Sequence, residues 1–226
     1  MTILILAAHP DDEILGCGGT VARMVKEGDE AFAVILGEGI TSRFDKNSTA
    51  AKNKIRTLHK KTSESADVIG VKETRSYNLP DNRFDTVPLL DIVKTFEKEI
   101  DRIRPDIIFT HHGGDLNIDH ALVFRVALIA ARPTIGSPVK EIYSFAIPSS
   151  TDWAFQNFTP VWKPDTFFDI SDTLETKIRA LKKYDSEMRV SPHPRSYDNV
   201  RNTAYGWGAV TGTKAAEAFE LIRAIK

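Results

Sequence analysis

Two short segments of this 226-residue chain concentrate side chains that can hold a cation and move a proton. One is His9-Pro10-Asp11-Asp12-Glu13; the other runs from His111 to His120 and carries His112, Asp115, Asn117 and Asp119. A catalytic zinc site takes three protein ligands from His and Asp/Glu and keeps a fourth position open. His9 and Asp12, three residues apart across a strand-to-helix turn, can face one point, and His120 at the start of a later helix can supply the third ligand. Asp11 is then a carboxylate that ligation does not need, where a general base for a metal-activated water would stand. Two histidines and one carboxylate also suit ferrous iron. The bland alternative makes the first segment a capped turn, with Asp11 or Asp12 accepting orphan N–H groups and Glu13 favoured by the helix dipole. Asp119-His120 alone would read as a satisfied surface pair. Both segments, however, follow apolar runs, and that coincidence favours a site.

Those apolar runs alternate with helical patterns. Residues 2–8, 31–36, 73–78 and 106–110 read as strands, and 14–27, 48–69, 87–103 and 119–131 as helices. Beyond residue 134 prolines punctuate the chain; 142–147 and 166–170 read as strands, 172–184 as a helix and 214–225 as a closing helix. The alternation predicts a Rossmann-like α/β fold, three layers with a mostly parallel sheet, in which ligands bind beyond the carboxyl ends of the strands. The length fits one domain over 1–226, regular over 1–133 and less regular over 134–226.

Thirty basic residues against thirty-one acidic ones leave a formal charge of -1, so no global basic field is available for nucleic acid or an anionic membrane. No apolar run approaches the roughly 20 residues of a membrane span. The first residues lack a basic leader and read as a buried strand. With Cys17 as the single cysteine, a cytoplasmic address is expected. A homo-oligomer is compatible with this composition.

Ala8-His9-Pro10-Asp11-Asp12-Glu13, followed by Gly16-Cys17-Gly18-Gly19-Thr20, resembles the opening signature of the LmbE-like, or PIG-L, zinc-dependent de-N-acetylases. Asn117-Ile118-Asp119-His120 resembles that family's second metal motif, and Leu79-Pro80-Asp81-Asn82 and Ala216-Glu217-Ala218-Phe219 are similar to further landmarks. The resemblance implies removal of an acetyl group from an N-acetylglucosamine-type conjugate, with His9, Asp12 and His120 on zinc and Asp11 as base. It places Asp119 where a carboxylate orients an imidazole, and loosely matches Arg56 to a substrate arginine. Many members carry a histidine where this chain has Asn117, which can donate to an oxyanion but cannot shuttle a proton. His111, His112 or His193 would then supply the acid, or Asp11 would serve as both base and acid.

Other positions on the expected active edge are Arg43, for a phosphate or sugar hydroxyl, and Asp81, for sugar hydroxyls. His193 lies in the proline-bracketed loop 191–196, a candidate lid or substrate clamp. Each also has an ordinary reading: solvated loop arginine, turn former, partner-subunit contact. The glycines at 16, 18 and 19 read as close helix–sheet packing rather than a phosphate loop, since no Lys-Ser/Thr follows. The expected function is N-deacetylation of a small amino-sugar conjugate. A metal amidase for a larger acyl group and a non-catalytic metal-binding homologue stand as alternatives.

Overall fold

The computed structural model describes residues 1–44 and 48–226. Its first strand, β1 (Thr2–Ala7), is buried on both sides: Ile3 and Ile5 join one hydrophobic cluster, Leu4 and Leu6 another. That explains a continuous apolar run rather than an alternating one, as central parallel strands require. β2 (Glu30–Gly37) and β4 (Ile107–His111) flank it in parallel, β3 (Glu73–Leu79) lies outside β2, and β5 (Glu141–Phe145) continues in parallel beyond β4.

Helix α1 (Asp12–Lys26) follows β1, α2 (Thr49–Ile69) follows β2, α3 (Leu89–Ile103) follows β3 and α4 (Ile118–Ala130) follows β4. The cluster on one sheet face is built with α1, α2 and the later α5 (Leu174–Leu181); the opposite cluster is built with α3 and α4. The expected α/β/α layering is therefore present. Local chemistry sets the ends: Ser48 Oγ accepts the Ala51 N–H at 3.1 Å to start α2, and Gly70 ends it at φ 79. A Cβ on Gly16 would fall 2.3 Å from the Phe145 ring, so the small residues of α1 serve close packing, and Cys17 is buried beside them.

The C-terminal reading needs correction. Residues expected as a closing helix form β7 (Ala216–Ala224), which runs antiparallel between β5 and β6 (Thr166–Asp169). The sheet order is β3-β2-β1-β4-β5-β7-β6. Ala, Glu and Leu in this stretch favour a helix, but two strand edges waiting on either side override that preference. The helix of this region lies earlier, as α6 (Tyr197–Thr211), started by Ser196 Oγ accepting from the Asn199 N–H.

Candidate metal centre and active-site cleft

The ends of β1 and β4 lie side by side in the sheet, which brings the two acid- and histidine-rich segments together. Asp12 opens α1, and its Oδ2 turns back to accept the His9 N–H at 2.9 Å. The same oxygen lies 3.4 Å from His9 Nδ1 and 3.3 Å from His120 Nε2. His9, Asp12 and His120 thus offer ligand atoms all within 4.8 Å of one another. Asp12 Oδ1 and His120 Nε2 are buried with no hydrogen-bond partner. Such orphans are costly unless something outside the protein satisfies them.

A second set, His9, Asp81 and Asp119, meets the same distance limit through the other ring nitrogen. There the donors and acceptors are already matched. His9 Nε2 lies 3.0 Å from Asp119 Oδ2, and Asp119 also accepts the backbone N–H groups of Asn82 at 2.7 Å and Phe84 at 3.0 Å. Donation by Nε2 to Asp119 leaves the Nδ1 lone pair for the first set. His120 is oriented in the same manner: its Nδ1 is 3.2 Å from Asp115 Oδ1, and Asp115 is held by the hydroxyls of Ser150 and Thr151.

Charge agrees with geometry. Burial opposes a charged His9, yet its bonds to Asp119 and Asp12 push its pKa up to about 10. Burial likewise opposes charge on His120, but Asp12 and Asp115 raise it to about 9. Asp12 stays well below the usual carboxylate range because the charge of His120 and the bonds of His120 and His9 to it outweigh its burial. The acids favour positive charge where the three ligand atoms meet, and a divalent cation fits that point.

Asp11 stands beside this set without joining it. Its backbone is left-handed, φ 103, and its N–H donates to Glu13 Oε2 at 3.0 Å. Glu13 Oε1 in turn accepts the Tyr184 hydroxyl at 2.6 Å, and burial lifts the Glu13 pKa to about 8. Burial raises Asp11 to about 7, with Arg195 pulling the other way and Asp12 and Glu187 adding to the rise. Asp11, His9, Asp81, Asn117, Arg43, Arg189 and Arg195 line a cleft of about 170 Å³. A larger hollow of about 210 Å³ beside α6, bounded by Trp162, Trp207 and the Lys177–Glu217 pair, contains none of these residues.

The remaining expected residues divide. Asn117 Oδ1 caps α4 by accepting the Asp119 N–H at 2.9 Å. Arg43 pairs with Glu187 at 3.0 Å on the rim, and Asp81 accepts from Ser42. Arg56 lies on the exposed side of α2, bonded to Asn53, and His193 packs edge-on against Trp153 at 5.2 Å; neither lines the cleft. His111 accepts the Ala8 N–H at 2.9 Å and stacks 4.0 Å from His120, while burial drives its pKa well down. His112 is engaged by Glu220 and the Pro160 carbonyl. The sequence reading gave neither Asp115 nor Arg195 a role of its own. Asp115 stands five residues before His120 in the same loop, and Arg195 shares the loop of His193, which were the available signals.

An α/β sheet with a His–Asp–His cation site and a spare carboxylate at its strand ends defines the class, an enzyme with a metal-competent centre. The chain belongs to the PIG-L family, described as GlcNAc-PI de-N-acetylase, whose sequence profile matches residues 4–131. That span contains His9, Asp11, Asp12 and His120. The chain is 27% identical over 190 residues to an uncharacterized deacetylase, YaiS, of Escherichia coli, covering 81% of this chain and 90% of the relative. It is 23% identical to the diacetylchitobiose deacetylase of Thermococcus kodakarensis, covering 99% and 84%. The solved N,N'-diacetylchitobiose deacetylase of Pyrococcus horikoshii superposes with a TM-score of 0.78 at 22% identity, covering 98% and 84%. A 4-carboxy-2-hydroxymuconate hydratase of Pseudomonas putida superposes with a TM-score of 0.77 at 17% identity, covering 100% and 97%. At such identities the superpositions describe the fold alone. No helix among the described residues is long and apolar enough to cross a membrane.

Proposed function

We propose that the protein is a zinc-dependent hydrolase that removes the N-acetyl group from an N-acetylglucosamine-type conjugate. The observation that carries this reading is the convergence of His9, Asp12 and His120, with Asp12 Oδ1 and His120 Nε2 buried and unpartnered, beside a carboxylate that ligation leaves free. The family profile and the deacetylase names of the sequence relatives support the amide as the bond attacked.

His9 Nδ1, Asp12 and His120 Nε2 would hold the ion, with Asp119 and Asp115 fixing the two imidazoles. Such an ion supplies Lewis-acid polarisation of the amide carbonyl and of the water that attacks it. Asp11 Oδ2 is occupied by Arg195, so Oδ1 is the oxygen that takes the proton from the water. Water oxygen bonds to the carbonyl carbon, the C–N bond breaks, and acetate and a free amine result. Asn117 has its carbonyl in the helix cap, which leaves its NH₂ to donate to the oxyanion. Among the described residues that line the cleft the one histidine is His9, which the ion would engage, so Asp11 would also return the proton to the leaving nitrogen. Asp81 and Arg43, which line the cleft, would bind sugar hydroxyls.

Acetate release from free, nucleotide-linked and glycosidic N-acetylamino sugars, with zinc-loaded protein and Asp11→Asn side by side, tests this. Acetate from one conjugate that disappears in the variant is the expected result. No acetate from any conjugate, with zinc demonstrably bound, would overturn the reading in favour of another acyl group, a hydration reaction or a non-catalytic role. Metal analysis of the protein as purified separates zinc from iron.

A further inference from the structure

In the metal-centred reading Arg195 does no more than occupy Asp11 Oδ2, although its contacts are specific. Nη1 donates to Asp11 Oδ2 at 2.9 Å, and Nε faces the Pro148 carbonyl at 3.3 Å and Ser149 Oγ at 3.2 Å. The Asp11 side chain is 3% exposed and that of Arg195 21%, so the pair is shielded from solvent, where a charge must be matched to be tolerated. Arg195 bonds a carboxylate that neither ligates nor steers an imidazole, whereas Asp12, Asp115 and Asp119 have those tasks.

We infer that Arg195 is a positioning residue for the general base, fixing the Asp11 carboxylate so that Oδ1 faces the attacking water. This rests on the reading of Asp11 given above. The Asp11 backbone is already fixed: its N–H is held by Glu13, and its carbonyl accepts the N–H groups of Ile14 and Leu15. What stays free is rotation of the carboxylate about its own side-chain bonds, and a second anchor at Oδ2 removes it. The arginine comes from a firm support. In the segment before α6, Arg189 N–H donates to the Arg195 carbonyl, Arg195 N–H to His193 Nδ1, and Asn199 Nδ2 to the Pro194 carbonyl. His193, expected as a lid or clamp residue, thereby acts as a brace behind Arg195.

The test uses Arg195→Met, Arg195→Lys and Arg195→Ala in the full chain, with the conjugate that the wild type deacetylates. Arg195→Met should lower kcat by about 100-fold, the scale of a reacting group displaced by an ångström, with KM and bound metal unchanged. Arg195→Lys should recover part of that loss, and added guanidinium ion should restore turnover to Arg195→Ala. An unchanged kcat, a rise in KM alone, or no rescue by guanidinium would overturn the inference. Independently of turnover, Asp11→Asn and Arg195→Met should shift thermal unfolding non-additively when combined; additive shifts would show that the two side chains are not linked. A wild type that deacetylates nothing would sink the reading of the base itself, and the unfolding cycle would still report whether the link exists.

Discussion

The part of the chain up to α4 and the part after it contribute different things to the same centre. The first provides the groups expected to touch the ion or the reacting atoms: His9, Asp11 and Asp12 just after β1, and Asn117 and His120 at the start of α4. The second provides groups that hold them: Arg195 on Asp11, Ser150 and Thr151 on Asp115, and Tyr184 beneath Glu13. A parallel sheet gathers strand ends at one edge by topology alone, so a site can be assembled there from short motifs. Fixing those side chains to the tolerance chemistry needs takes contacts from a distance, here 184 residues away for Arg195.

The sharpest test of this division is Asp11→Asn, which should keep the metal and lose about 100- to 10,000-fold in turnover, the usual contribution of general acid–base catalysis. Next comes the second part acting on stability alone. Lys177 Nζ donates to Glu217 at 2.6 Å and to the Leu15 carbonyl at 2.8 Å, and Glu217 accepts the N–H groups of Gly19 and Thr20. Lys177→Met strands a buried carboxylate against α1 and should cost about 3–5 kcal/mol in chemical denaturation. The folded fraction should retain its turnover; a specific loss of kcat would break the division. Asp115→Asn weakens the anchor of His120 without removing a ligand, and metal affinity should fall about 10- to 100-fold in a chelator competition.

The smallest effect belongs to Glu99, remote from the cleft. Burial alone would raise its pKa, but Tyr77, Arg102 and Arg75 hold it below 4.5. A carboxyl depressed on folding contributes stability above its unfolded pKa and loses it as pH falls through the folded value. Glu99→Gln should therefore lower the Tm at neutral pH slightly and flatten its fall below about pH 4.3, the usual unfolded value for a glutamate.

The same division governs how much could be read in advance. β1, β2 and β4 were legible because burial on both sheet faces writes itself as apolar runs, and the acid-rich turns stood directly after β1 and β4. Which carboxylate steers which imidazole was less accessible. Asp119 adjoins His120 in sequence, but consecutive residues of a helix point to different sides, so Asp119 meets His9 instead. Asp115, off the helix in the preceding loop, is the one that reaches His120. For Arg195 the loop was conspicuous and its target was not, since nothing local marks a partner at the opposite end of the chain. β7 was misread for a similar reason: its composition favours a helix, and its strand neighbours lie elsewhere in the sequence.

The position of β7 also orders the assembly of the molecule during synthesis. It lies between β5 and β6, and among the described residues β6 pairs with no other strand. Until residues 216–224 have left the ribosome, β5 presents an open edge and β6, already made, has nothing to pair with. The nascent chain can thus form its metal-ligand region early while its sheet is still incomplete on one side. That interval closes with the insertion of β7, and until then the unpaired strand edges are open to pairing with other chains.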